Sequence, residues 1–426
     1  MLKTYNKQFN ETYYTKKLDN GLTVILFEKA NYHSNFFTLI TPYGSNDFQQ
    51  VDALGNAIHL PPGVAHFLEH RMFDYAGIDV MERFSELGSS SNASTGYDQT
   101  QYYFSTTSDD FKESLELLIN FVFNLKIPEA TVEKEKGIII EELNMYDGMA
   151  DFKLYFGLIK NLYHHLPYTQ EIGGSIESVS NTTLQQLETA YKYNYHPEQM
   201  FLVGATNNNI EETFAFIEST MSEFTFAPYM KMSRDYAEEP LHVRIAEESV
   251  VMDINSQKVA LGYKFKHGIS DVLEIDKMEI LFDIYFDLLF SAVNENYQTW
   301  LDQQLINDYF DVEVSLDKDF GHLIISGEHD DLDRFKEFVE DILNNDEQYL
   351  IPDKFEQLKK KFIGRAIMAL EQPATIAQVY GRNIANGVDV FTSIEQLQDL
   401  SLDDLKALIE RINLVDNSAT YTIIPR

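Results

Sequence analysis

Cysteine is absent from all 426 residues. Disulfides, zinc–thiolate centres and thiol nucleophiles are therefore excluded, and any transition-metal site must be built from His, Asp and Glu. Basic residues are scarce. There are 33 Lys and Arg against 68 Asp and Glu, a formal net charge of −35. A nucleic-acid binder needs a cationic footprint to displace counterions, and an anionic membrane surface repels such a chain, so neither partner is expected. Long apolar runs are also missing. The richest stretch, Ile280 to Val293, is interrupted by Asp283 and Asp287 and falls short of the roughly 20 residues of a membrane span. The opening residues Met1 to Lys7 are polar, with no apolar segment of signal-peptide length. The expectation is a soluble, cytoplasmic protein.

With 44% hydrophobic residues, the chain has enough apolar side chains for a large core, and its length leaves room for two or three domains. Leu22–Phe27, after the turn signal Asp19-Asn20-Gly21, and Asn35–Pro42 have the β-branched and aromatic content of strands. Helices are expected after Pro61-Pro62-Gly63, from Val80 to Leu87, after a Ser108-Asp109-Asp110 cap, and from Pro128-Glu129 to about Tyr146. Gln101–Thr106 and Met200–Gly204 read as strands, and 154–162, 184–193 and 211–221 as helices. Thr225–Glu239, with Pro228 inside it and Pro240 after it, reads as a linker. The second half then repeats the order. A strand at Lys258–Phe265 and a helix at Asp276–Asn296 precede a hairpin of Phe310–Leu316 and His322–Ser326. Helices at 331–343, 352–369, 375–385 and 402–412 lead to a last strand at Thr420–Ile424. The expected class is α+β, with two halves of about 200 residues related by duplication.

His66-Phe67-Leu68-Glu69-His70 falls on the helix after Pro62. His66 and His70 are i and i+4, so both imidazoles leave one face at neighbouring turns, a spacing that suits two nitrogens converging on Zn²⁺. Glu69, at i+3 from His66, shares that side, where a carboxylate can serve the water of a metal's open position without ligating the metal. The order H-x-x-E-H inverts the usual zincin motif. A catalytic zinc takes three protein ligands, and without cysteine the third must be His, Asp or Glu. The best downstream candidate is the helix Glu133–Tyr146. There Glu135 and Glu142 stand two turns apart on one stripe with Ile138, Ile139 and Met145 on or beside it, a buried setting expensive for an unpaired carboxylate. Glu141 is offset and expected to face solvent, while Glu133, Lys134 and Lys136 fit a salt-bridged surface.

Together these segments resemble the pitrilysin/insulinase-type inverted zinc peptidases, a family that includes the mitochondrial processing peptidases. The family's LxNGLxV is present as Leu18 to Val24, its GxAHFLEHxxF as Gly63 to Phe73, and its GxxxNAxT strand as Gly88 to Thr95. Its paired glutamates are Glu135 and Glu142, the latter 72 residues after His70. The resemblance covers the whole chain and is closest to the two-domain bacterial members. It implies two tandem homologous α/β-roll domains, 1–228 and 229–426, each an antiparallel-rich sheet covered by helices, enclosing a chamber. It implies one Zn²⁺ per chain held by His66, His70 and Glu142, with Glu69 as general base and Glu135 as the carboxylate that supports the site. Asn92 and Ala93 match the edge strand on which the family lays an extended substrate.

One departure stands out. Family members with a complete site carry an Arg and a Tyr seven residues apart in the second half. The matching positions here hold Leu301 and Asp308, Tyr309 lies one residue beyond, and no Arg occurs between Arg244 and Arg334. A paralogous subunit supplying that pair in a heterodimer is therefore the expected partner, beside a peptide substrate; a homodimer is the other association considered. A non-catalytic peptide-binding or structural subunit of the same fold is the competing reading. The remaining candidates read as structural: His164 and His165 at a helix end, His59 in a loop, Trp300 in packing, and Tyr97, Tyr102 and Tyr103 in an aromatic-rich strand region.

Overall fold

The computed structural model describes residues 1–75, 77–107, 111–316, 320–380, 383, 388, 390–412 and 417–426. The expected cap at 108–110 and residues 381, 382, 384 and 385 of the expected 375–385 helix lie outside these residues. The chain forms two compact units that are discontinuous in sequence. The first comprises Met1–Asn144, Gln170–Tyr236 and Ile367–Asp389; the second comprises Met145–Thr169, Ala237–Ala366 and Val390–Arg426.

The strands of the first unit are β1 (Leu2–Asn6), β2 (Glu11–Lys17), β3 (Thr23–Glu28), β4 (Asn35–Thr41), β5 (Gln49–Asp52), β6 (Ala57–His59), β7 (Asp74–Tyr75), β8 (Ile78–Asp79), β9 (Ser89–Thr95), β10 (Thr100–Thr106), β11 (Phe201–Thr206) and β12 (Met232–Arg234). Seven of them form one sheet in the order β1-β2-β3-β11-β4-β10-β9. Only β11 with β3 is parallel; the other pairs are antiparallel. Every residue of β4 is buried, so it reads as a nearly continuous apolar run rather than an alternation. Phe37 explains why: its ring stacks on both Phe104 and Phe111, at 5.5 and 5.4 Å. Segment 373–380 packs on β4 and β11.

The first helices are α1 (Val64–Met72), α2 (Val80–Glu86), α3 (Lys112–Phe123), α4 (Glu129–Asp147) and α5 (Ala150–Leu162), of which α1 and α4 carry the site residues. Hydrophobic side chains of α1 and α3 join those of β3, β4, β10 and β11 in the first core. The second unit carries β13 (Glu247–Met252), β14 (Lys258–Lys266), β15 (Asp311–Leu316), β16 (Phe320–Glu328) and β17 (Ser418–Pro425), in the order β13-β17-β14-β16-β15. There β13 with β17 is the parallel pair, and α5 packs on β14 and β17.

Four details differ from the sequence reading. The polar N-terminus forms the hairpin β1–β2, and β13 was also not anticipated. His59 ends the short strand β6 rather than lying in a loop. Within the expected linker, β12 pairs with β5. His164 and His165 follow the end of α5 as expected, and their N–H groups donate to Glu239. Trp300 is buried against Phe338, and Tyr102 is fully buried while Tyr103 is partly exposed. Among the described residues no helix is long and apolar enough to cross a membrane.

Candidate metal centre

Helix α1 starts at Gly63, whose φ of +87° is left-handed. A Cβ there would also meet the Gly173 carbonyl oxygen at 2.3 Å. Glycine is thus required twice, by conformation and by the close approach of the 173–174 backbone. Helix α1 buries Val64, Ala65, Phe67, Leu68, Arg71 and Met72. That apolar face fixes the rotation of the helix and leaves His66, Glu69 and His70 half-buried together on the other side.

The rings of His66 and His70 lie 4.6 Å apart. Both turn Nε2 toward Oε2 of Glu142 on α4, at 3.8 Å from His66 and 3.6 Å from His70. Among the described residues, these three form the one cluster of metal-binding side chains whose donor atoms lie within 4.8 Å of one another. Bonds of about 2.0–2.2 Å to a tetrahedral ion set the donors roughly 3.3–3.6 Å apart. The two-nitrogen, one-oxygen set therefore fits zinc with small adjustment and leaves a position open.

The remaining carboxylates occupy different niches. Glu135 Oε1 lies 3.1 Å from His70 Nδ1. This contact assigns the proton to Nδ1 and leaves the Nε2 lone pair toward Glu142. Burial pushes the Glu135 carboxyl upward, but its bonds to His70 and Arg71 outweigh that and hold it below its ordinary value. Glu69 Oε2 accepts from the Thr95 hydroxyl at 2.5 Å, where β9 ends. Burial raises its pKa, against the pull of Thr95 and His70. Burial, with the His70 charge, lowers His66 to about 4, so the imidazole is neutral near pH 7, as a ligand must be. For His70 burial opposes charging, and the surrounding Glu135, Glu69 and Glu142 outweigh it and raise the value. His66 Nδ1 is buried without a hydrogen-bond partner; a Cβ on Gly173 would lie 3.5 Å from it.

The surroundings of Glu142 correct one expectation. The buried stripe of α4 is Val132, Glu135, Ile139 and Leu143, whereas Ile138 and Met145 are 44% and 52% exposed. Glu142 sits at the margin of the stripe, one residue off its line. The carboxylate within the apolar stripe is Glu135. Glu141 faces solvent, and Glu133 pairs with Lys136 on the surface. Asn92 and Ala93 lie on β9, the terminal strand of its sheet, paired with Tyr103 and Tyr102 of β10. In the second unit Leu301 packs against the core and Tyr309 is 62% exposed, its ring 5.1 Å from Lys258 Nζ. Sequence reasoning quoted Arg71 and Thr95 without giving them work and passed over Gly173; the one visible signal was an Arg directly after the H-x-x-E-H segment, with nothing local to name Glu135 as its partner.

The model of the insulinase family, peptidase family M16, matches residues 60–175, and the model described as the peptidase M16 inactive domain matches residues 181–361. The chain is 31% identical over 423 residues to a Bacillus subtilis (strain 168) protein described as the uncharacterized zinc protease YmfH, covering 99% of this chain and 98% of that one. A putative M16-like peptidase from Alicyclobacillus acidocaldarius superposes with a TM-score of 0.89 at 29% identity, over 98% of this chain and 99% of that one. A protease from Helicobacter pylori, at 20% identity, shares the fold with a TM-score of 0.82 over 97% of this chain and 99% of that one.

Proposed function

The chain belongs to the insulinase family of peptidases, family M16, and from that premise we propose that it is a zinc-dependent endopeptidase of short, unstructured peptides. The observation that carries this reading is the half-buried Glu69 carboxylate on the same face of α1 as His66 and His70, outside the donor set that these form with Glu142. A structural subunit has no need of such a base.

When bound by His66, His70 and Glu142, zinc would polarise the peptide carbonyl and make water a nucleophile near neutral pH. The chain's own groups do the rest. Glu69 takes the proton of the attacking water on its carboxylate and returns it to the leaving amine nitrogen. Thr95 holds Oε2 of that carboxylate, so it is aimed before substrate arrives. Glu135 keeps the His70 ring oriented. The free edge of β9, with Asn92 and Ala93, offers backbone groups to an extended peptide.

Glu69→Gln should retain zinc and lower kcat by at least about a hundredfold, the general-acid/base contribution. Equal hydrolysis of an unstructured peptide by the variant and the wild-type chain would falsify the reading. The missing Arg and Tyr support a finer proposal, that a paralogous subunit completes the substrate site in a heterodimer. Co-purification with the product of the neighbouring gene should raise peptidase activity, and full activity of the lone chain would sink it. The same deficit favours the second reading, a non-catalytic peptide-binding subunit.

A further inference from the structure

A guanidinium inside a protein core is expensive unless its charge and its N–H groups are matched. Arg71 is 4% exposed, on the inward face of α1. Its Nη1 donates to Glu135 Oε2 at 2.6 Å and its Nη2 to Asp74 Oδ2 at 2.6 Å, while its Nε–H has no partner. The other oxygen of Glu135 meets His70 Nδ1 at 3.1 Å, and His70 Nε2 faces Glu142 Oε2 at 3.6 Å. An unbroken chain of contacts therefore runs Asp74–Arg71–Glu135–His70 and ends on the donor set.

We propose that Arg71 is a positioning residue for the metal centre: it fixes the Glu135 carboxylate so that Glu135 supports His70 through Nδ1 instead of entering the donor set. The inference rests on the assignment of His70 as a metal ligand. Glu135 and Glu142 stand two turns apart on one helix, so two carboxylates compete for the same ion. A carboxylate tethered only by His70 is free to rotate toward the ion, whereas one gripped on its far oxygen is not. The planar guanidinium suits this task because its N–H groups hold two carboxylates from different elements at a fixed separation, and an ammonium has no such fork. Asp74 is the outer anchor, its side chain 31% exposed. The two histidines are held unequally: His66 Nδ1 has no partner, so the orientation of the pair depends on the His70 branch.

The test reads metal binding, not turnover. Zinc affinity by chelator competition, the visible absorption of the Co²⁺-substituted chain, and the melting temperature of the metal-free chain are measured for wild type, R71M, R71K, E135Q and R71M/E135Q. R71M should lose about 10- to 100-fold in zinc affinity, the usual cost of removing an outer-shell partner. R71K should recover part of the loss. R71M should add less than about twofold in the E135Q background, because both changes act through one carboxylate. The Co²⁺ band should weaken in R71M as a further oxygen enters the coordination sphere. A merely structural Arg71 would lower the melting temperature of the metal-free chain and leave affinity and spectrum alone, which overturns the proposal. So would losses that multiply in the double variant. Asp74→Asn, at a partly exposed position, stands in if R71M does not fold: a smaller loss of affinity is expected, and none overturns the proposal. A wild-type chain that binds zinc but cleaves no peptide defeats the proposed function and leaves this inference standing.

Discussion

Imidazoles in this chain occupy contrasting settings. His66 and His70 turn one nitrogen each toward Glu142 at the half-buried surface of the first unit. His322, in β16 of the second unit, is fully buried; its Nδ1 meets the Tyr163 hydroxyl at 2.9 Å and its Nε2 has no partner. Burial lowers its pKa from 6.5 to about 4. The unfolded chain therefore binds a proton at this residue between pH 6.5 and 4 that the folded chain refuses. The linked stability is fully present above pH 6.5 and is lost as pH falls toward 4, by about 3 kcal/mol in all. His322→Gln keeps a hydrogen-bonding group and cannot titrate. Urea unfolding followed from pH 7.5 to 4.5 should show a shallower decline for the variant by close to one proton, since every other titration is common to both chains. Parallel slopes would defeat the argument. Gly63 belongs to the same scale: any side chain there combines a left-handed backbone with a collision at 2.3 Å.

At the scale of elements, legibility followed burial. Helix α1 and strands β3, β4 and β14 carry their burial in their residue types, and their expected spans, like that of α4, differ from the observed ones by a few residues at most. Strands β1, β2 and β13 were not read because they are polar or largely exposed strands, held by pairing more than by an apolar face. Strand β9, Ser89-Ser90-Ser91-Asn92-Ala93-Ser94-Thr95, shows no strand signal and was reached only through its family motif. His66 and His70 were legible as a pair because an i, i+4 spacing is local geometry, whereas the choice of Glu142 beside them came from the family resemblance. The Arg71 bridge was not, because it joins residues 64 positions apart in sequence. The polar edge of β9 carries its own prediction. The Ala93 N–H donates to Asn92 Oδ1 at 2.9 Å, a local bond that a substrate carbonyl can replace. Ala93→Pro removes that donor on an edge strand, where proline is tolerated. It should raise KM about tenfold or more, with zinc affinity unchanged. A variant with wild-type kinetics would exclude β9 as the substrate edge.

The two units repeat one plan. In each, a parallel pair (β3 with β11, β13 with β17) is extended by three antiparallel neighbours in the same order, β11-β4-β10-β9 and β17-β14-β16-β15. Duplication thus survives in topology where residue identity has faded, and the donor set occurs in the first copy alone among the described residues. What the whole chain adds is charge. A net −35 sets up a negative potential that raises the local concentration of cationic ligands and repels anionic ones, an effect that acts on encounter rather than on chemistry. For peptides of equal length and the same scissile residues, kcat/KM should be several-fold higher for a lysine-rich than for a glutamate-rich sequence at about 20 mM salt. The gap should close as the Debye length falls from roughly 20 Å toward 5 Å with added salt, while kcat stays nearly constant. A preference that survives high salt would place the discrimination in direct contacts at the site. Equal rates at every ionic strength would mean that the acidic composition does no more than keep the chain soluble.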